Sequence, residues 1–330
     1  MQSPIKVMLF GLGYIGRMVL EAIQEETPFW NRELELVGAV DILSESRSWS
    51  EKRGIEAFDS LRALLTKTKP DVCVHTTSSN LSSIQSQLKQ LIEAKLPVVS
   101  SCEELFYPWK RSPSLAKELD TLAKKNNVAL LGAGVNPGFI MDILPAVLTQ
   151  SVQTVEAISI ERVVDASTRR PPLQKKIGMG LDKKTFLEKA QKKKLGHVGL
   201  SESLDFLIDY LGWEGAQRFE KIEPIIATKT KKGSTRRGYV SGIHHRAWAE
   251  MERRRVIDLD LKIYMNATDP GDRARVRGKP DLKLEIIGGT PGDSATVGSL
   301  LHGIPIVMQA RPGIVKRLER DHFPALDQVR

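Results

Sequence analysis

Residues 5–16 read IKVMLFGLGYIG: an apolar run of strand length passes directly into Gly11-Leu12-Gly13-Tyr14-Ile15-Gly16, and RMVLEAIQEE follows with apolar residues at helical spacing. The pattern predicts a strand, a tight turn and a helix. In that setting each glycine has its own task. Gly11 permits the turn, Gly13 lets the backbone approach a pyrophosphate, and Gly16 lets the helix pack close to the strand. The N–H groups at the start of the helix favour phosphate charge.

The same alternation continues outward. ELVGAVD (35–41) reads as a strand ending in an acid, FDSLRALLTKTKP (58–70) as a helix, and PDVCVHTTSS (70–79) as a strand entering a small polar loop. LSSIQSQLKQLIEAK (81–95) is helical, PVVSSCEEL (97–105) a strand and its loop, SPSLAKELDTLAKKNN (112–127) helical, and VALLGAGVNPG (128–138) a strand entering a Gly-Pro loop. Strands alternating with helices predict an α/β protein with a doubly wound parallel Rossmann sheet over residues 1–138. After Gly138 a helix near 139–150 leads into long strand-like segments at 154–164, 220–230, 256–266 and 281–289. Helical text there is confined mainly to TFLEKAQKK and LSESLDFLIDYLG, which predicts a second α+β domain over 139–292, built on a mostly antiparallel sheet. Residues 293–330 are expected to form a helix from near Asp293, ending before Pro305, and a tail returning to the first domain.

A length of 330 residues suits two cores, and no apolar run approaches bilayer length. The first strand lacks a signal-peptide cleavage site, so the expected location is the cytoplasm, with no membrane partner. The two cysteines, Cys73 and Cys102, form no C-x-x-C pair, and no metal is expected. The net charge of +9 raises nucleic acid as a partner. Its clusters, Lys192-Lys193-Lys194, Lys229 to Arg237, Arg253-Arg254-Arg255 and Arg273 to Lys279, are scattered and carry no aromatic interleaving or DNA-binding helix signature. They read as a solvated basic surface, with no nucleic acid bound.

Ligands of open α/β sheets bind beyond the carboxyl ends of the strands. Asp41 stands where an acid bonds the adenosine ribose and favours NAD, whereas Ser44, Ser46 and Arg47 could take a 2′-phosphate, so NAD and NADP both stay open. Thr76, Thr77 and Ser78, and Asn136, Pro137 and Gly138, are expected at the nicotinamide end. Glu103 and Glu104 follow a strand at the same edge, where partial burial raises a carboxyl pKa and suits it to proton transfer.

The strings GLGYIG, VHTTSS, VVSSCEELFYPW, GAGVNPGFIMDILP and RVVDASTRRPPLQKKIG together resemble the 2,4-diaminopentanoate dehydrogenase family and the native amine dehydrogenases grouped with it. Their wider kin carry a dihydrodipicolinate-reductase-like Rossmann domain. The resemblance spans roughly residues 5–180, with a looser match in GGTPGDSATVGSLLHGIPIVMQARPG. It implies reversible oxidative deamination of an amine, or reductive amination of a ketone or aldehyde with ammonia, using NAD(P)H. It also implies a glutamate beside the nicotinamide, Glu103 ranked before Glu104, and a homodimer joined through the second domain. Asn136, Phe139, Met141, Arg162, Thr168 and His197 lie in or just after the matching stretches and are candidates for the substrate pocket.

Two further readings stand beside this one: a dihydrodipicolinate-reductase-like reductase of another substrate, and a Rossmann redox sensor that turns nothing over. The His244-His245 pair lies in GIHHRAWAEM, without the lysine or the Ser-Gly-Thr loop that a dihydrodipicolinate reductase needs. Cys102 precedes two acids, which oppose the thiolate that an acylating aldehyde dehydrogenase would use. A sensor has no need of paired carboxylates at the nicotinamide edge.

Overall fold

The computed structural model describes residues 3–25, 33–169, 171–192, 194–230 and 235–319; side chains are not described at 168, 171 and 172. The chain divides into two compact units, Met1–Gly138 with Pro291–Arg317, and Phe139–Thr290 with the chain from Leu318.

The first unit alternates β1 (Ile5–Phe10), α1 (Tyr14–Gln24), β2 (Leu34–Val40), α2 (Ser44–Glu51), β3 (Ala57–Phe58), α3 (Leu61–Lys67), β4 (Val72–His75) and α4 (Leu81–Glu93). It continues with β5 (Val98–Ser100), α5 (Glu103–Phe106), α6 (Pro113–Lys125) and β6 (Ala129–Gly132). The strands form one parallel sheet in the order β13-β6-β5-β4-β1-β2-β3, where β13 is Gly313–Ile314. Strand order reverses between β1 and β4, which opens the ligand crevice of such sheets. Both faces are covered, so the strands are apolar on both sides. Met8, Phe10, Cys73, Val98 and Leu130 pack one way, against α4 and α6. Val7, Leu9, Val72, Val74, Val99 and Leu131 pack the other, with Val19 and Leu20 of α1 and Leu300, Leu301 and Ile304 of α11 (Gly292–Gln309).

The second unit begins with α7 (Ile143–Thr149) and β7 (Thr154–Asp165), then α8 (Pro171–Lys176), α9 (Lys183–Gln191) and α10 (Leu200–Leu211). Four strands complete a six-stranded sheet with β8 (Gln217–Ile226): β9 (Val240–Met251), β10 (Arg254–Tyr264), β11 (Gly271–Lys279) and β12 (Leu282–Ile287). The order is β12-β11-β7-β10-β9-β8, antiparallel throughout except where β10 runs parallel to β7. Alternation is strict on the central strands. In β10, Ile257, Leu259, Leu261 and Ile263 are buried while Asp258, Asp260 and Lys262 face outward.

Several elements differ from the sequence reading. Helix α2 and the two-residue strand β3 lie in text that carries little apolar periodicity; α2 is SESRSWSE, held by buried Ser46 and Ser50 and by Trp49, which Arg53 covers at 3.7 Å. The whole basic run Arg273 to Lys279 lies in strand β11, with Ala274 and Val276 inside and Arg273, Arg275 and Arg277 outside. GIHHRAWAEM is strand β9, whose inward row of Ile243, His245, Ala247 and Ala249 is too small and polar to announce itself. Helix α11 does not stop before Pro305 but runs through it to Gln309. Its apolar face, Val297, Leu300, Leu301, Ile304 and Val307, is buried on both sides of the proline, so tertiary burial outweighs the lost backbone hydrogen bond. Lys193 and residues 231–234 of the basic clusters, and the tail from 320, lie outside the described residues.

Candidate active site

Within the first unit the glycine-rich loop has the geometry that its spacing predicts. Gly11 adopts φ +101°, and a Cβ there would meet Thr77 Cγ2 at 2.8 Å and the Thr76 carbonyl at 2.9 Å. A Cβ on Gly16 would run into the Gly11 carbonyl and into Thr76 Oγ1, so α1 is locked against the turn. Around Gly13, the N-cap of α1, nothing lies within 4 Å of an added Cβ. Its freedom is not used by the protein itself, which leaves a cradle where a pyrophosphate can approach the backbone. Leu12 is fully buried, Ile15 is half-buried against the core and Tyr14 is 52% exposed.

At the end of β2 the Asp41 carboxylate accepts the Leu12 N–H at 2.6 Å and the Leu43 N–H at 2.9 Å. The first of these bonds ties the acid to the glycine loop. Arg47 turns its Nη1 onto the carbonyls of Asp41 (2.8 Å) and Ile42 (2.9 Å). Arg17, not singled out in the sequence, donates Nε–H to the Leu12 carbonyl at 3.0 Å and brings Nη2 within 3.5 Å of Ser46 Oγ. Thr76 donates its hydroxyl to the Gly11 carbonyl at 2.8 Å, Thr77 is exposed, and Ser78 Oγ accepts the Asn80 N–H at 3.3 Å. Gly138 adopts φ +120° after the cis Asn136–Pro137 bond, and its carbonyl accepts a bond from Arg317 at 2.9 Å.

The two glutamates are separated by their surroundings. Glu104 is buried, accepting the Leu81 N–H at 2.7 Å and the Asn80 side-chain N–H at 3.0 Å, with Arg111 at 3.7 Å. It caps α4 from 23 residues away, supplying the acceptor that the N-terminus of that helix needs. Glu103, half-buried, starts α5 one residue beyond its N-cap Cys102. Cys102 donates its thiol to the Ser79 carbonyl at 3.2 Å, and burial first, then the two neighbouring glutamates, push its pKa up. A buried thiol held protonated is no nucleophile.

In the second unit, Phe139 is 40% exposed and Met141 fully buried. Arg162 is buried, with Nη1 on both oxygens of Asp272 at 2.8 Å and Nη2 on the Thr290 carbonyl at 2.8 Å. Its guanidinium holds the fold together, and Asp272 also accepts the Thr290 N–H at 2.7 Å. His197 gives its backbone N–H to His245 Nδ1 at 3.3 Å, while His245 Nε2 meets Glu220 at 2.9 Å. Thr168 closes a short 3-10 turn, Ala166–Thr168, and its side chain lies outside the described residues.

A parallel sheet with this strand order, an open glycine cradle and an acid at the end of β2 defines a nicotinamide-dependent oxidoreductase, and residues 5–133 match the oxidoreductase family with an NAD-binding Rossmann fold. Residues 139–326 match the 2,4-diaminopentanoate dehydrogenase C-terminal domain, and the chain belongs to that family. It is 29% identical to 2,4-diaminopentanoate dehydrogenase of Acetoanaerobium sticklandii over 332 residues, covering 94% of this chain and 92% of that one. An amine dehydrogenase of Streptomyces virginiae is 20% identical over 358 residues, covering 98% of each chain. The fold matches the structure of amine dehydrogenase from Mycobacterium smegmatis with a TM-score of 0.81 at 22% identity, over 99% of this chain and 98% of that one. Among the described residues no helix is long and apolar enough to cross a membrane.

Proposed function

We propose that this chain is an NAD(P)-dependent amine dehydrogenase, interconverting an amine with a ketone or aldehyde and ammonia. The observation that carries this reading is the division of labour between the two glutamates: Glu104 is committed to α4, and Glu103 is presented half-buried at the carboxyl edge of β5. Gly11, Gly13 and Gly16 with the start of α1 would hold the pyrophosphate, Asp41 the adenosine ribose, and Thr76, Thr77 and the Asn136–Gly138 loop the nicotinamide end. When bound, the cofactor supplies or accepts the hydride. Glu103 passes a proton from the attacking ammonia to the carbonyl oxygen, takes a second proton from solvent and gives it to the hydroxyl so that it leaves as water, and as a carboxylate then balances the cationic iminium.

Asp41 favours NAD, because its carboxylate suits a ribose diol and repels a 2′-phosphate, and Arg47 is already engaged by backbone carbonyls. Arg162 is committed to Asp272 and so is not a free clamp for a substrate carboxylate. The outward face of the second sheet supports a homodimer. It carries a chain of paired charges, Lys262–Glu161–Arg273–Glu285 and His244–Asp260, beside the stacked rings of Phe219 and Trp248. Light scattering at micromolar concentration tests the dimer, and a monomer would contradict it. Both cysteines are buried and free, in keeping with a reducing cytoplasm.

The test of function is a spectrophotometric panel: amines with NAD or NADP, and ketones or aldehydes with ammonia and NAD(P)H. It includes 2,4-diaminopentanoate and simple aliphatic amines and ketones. Amine-dependent reduction and ammonia-dependent oxidation are expected. Cofactor binding without turnover on any pair would leave a redox sensor, and carbonyl reduction indifferent to ammonia would leave a reductase of another kind.

A further inference from the structure

His75 is fully buried at the end of β4, a strand whose other residues, Val72, Cys73 and Val74, are apolar. Its ring lies 5.6 Å from that of Phe10. A polar ring in such a place costs stability unless every nitrogen is bonded. Nδ1 meets Ser100 Oγ at 2.9 Å, and Nε2 meets Gln87 Oε1 at 2.9 Å and Thr77 Oγ1 at 3.0 Å. Ser100 is its registered neighbour on β5, and Ser100 Oγ accepts the Cys102 N–H at 3.1 Å.

Gln87 Oε1 can only accept, and it also takes the Thr77 hydroxyl at 2.7 Å, so Nε2 carries the proton toward it and the Ser100 hydroxyl donates to the unprotonated Nδ1. Burial holds the ring neutral, with its pKa lowered to about 4, which keeps this single tautomer at working pH. The backbone adds a rung, the Ser101 N–H donating to the His75 carbonyl at 2.9 Å. The bonds run without a break from the loop after β4 to the N-cap of the helix that begins with Glu103.

We propose that His75 is a positioning residue for Glu103: through Ser100 it fixes the first turn of α5, and through Thr77 it ties that turn to the cofactor loop after β4. The inference rests on the role given to Glu103 above. His75 does not exchange protons with substrate; it sets where the carboxylate that does so can stand.

Removing the ring's bonds should therefore lower turnover while leaving substrate and cofactor binding nearly intact. The probe is the fastest ketone of the panel with saturating ammonia. His75→Leu and Ser100→Ala are expected to lower kcat about tenfold, with KM and cofactor Kd within about twofold. His75→Asn, whose amide oxygen can stand where Nδ1 stood, should recover most of the loss; His75→Gln, which reaches only the Nε2 position, should not. In a Glu103→Gln background, His75→Leu should cost nothing further, because the group it positions is gone. Long-range proton–nitrogen NMR of the ring should find it neutral and protonated on Nε2 at pH 7.

Unchanged kcat in Ser100→Ala, an equal further loss in the Glu103→Gln background, or a ring protonated on Nδ1 would overturn the positioning role. Ser100→Ala carries the test if His75→Leu does not fold. If Glu103→Gln alone keeps full turnover, the acid–base reading fails first and the positioning role falls with it, an outcome distinct from additivity of the two substitutions.

Discussion

The Glu104 carboxylate accepts the backbone N–H of Leu81 at 2.7 Å, so a residue of the short helix after β5 caps the helix that follows β4. That bond commits Glu104 to the N-terminus of α4. Glu104 faces inward to α4, and the next residue toward the N-terminus is left at the strand edge.

Glu104→Gln puts an amide N–H where one of two donors, Leu81 N–H or Asn80 Nδ2, needs an acceptor. Unfolding free energy should fall by about 1–2 kcal/mol, the scale of a lost cap or a buried unsatisfied group, while kcat of the folded enzyme stays within about threefold. Urea denaturation and turnover per folded molecule check this, and an unchanged midpoint with a large loss of kcat would reverse the roles of the two glutamates.

The open space at Gly13 and the crowding at Gly16 separate binding from folding. Gly13→Val should leave the melting temperature nearly unchanged and weaken NAD binding by about a hundredfold, whereas Gly16→Val should destabilise by roughly 3 kcal/mol or more through overpacking. Calorimetric titration and thermal melts make the comparison. Equal NAD affinity in Gly13→Val would remove the pyrophosphate from this loop.

Asp41→Ser should move preference from NAD toward NADP by about tenfold or more, because a carboxylate repels a 2′-phosphate. Some affinity for both cofactors should be lost as well, since the Leu12 N–H loses its acceptor. The ratio of kcat/KM values for the two cofactors is the measurement, and a ratio unaltered by the substitution would show that Asp41 does not face the ribose.

His75 gives the fold an acid sensitivity. Burial lowers its pKa from an ordinary value near 6.5 to about 4, so the unfolded chain binds the proton more tightly than the folded one. Its contribution is complete above about pH 6.5 and is lost as the pH falls toward 4, on the order of 3 kcal/mol over the whole range. Denaturation of wild type and His75→Asn between pH 7 and 5 should show the steeper fall in wild type. Parallel profiles would mean that the ring is not held neutral by burial.

The glycine loop and the strands β1, β2, β4, β5 and β6 were legible because a sheet buried on both faces writes itself as short apolar runs, with glycines whose spacing has a mechanism. Strands β9 and β11 were not. Each buries one small-residue row behind charged partners, and the Arg273, Arg275 and Arg277 series reads as a basic surface until the sheet supplies Ala274 and Val276 with a core to face. The commitment of Glu104 to α4 could not be read from its place beside Glu103, since it depends on Leu81, which lies 23 residues before Glu104. His75 gave no signal either: an isolated histidine in VHTTSS looks like any strand-end polar residue until Ser100 comes alongside it.

The most direct test of the account is Glu103→Gln, assayed in reductive amination with saturating ammonia and compared by calorimetry for cofactor affinity. Loss of a general acid–base carboxylate should lower kcat about a hundredfold or more and leave NAD(P)H binding within about twofold. Near-full turnover with intact cofactor affinity would contradict it, and the protons would then have to be moved by another group.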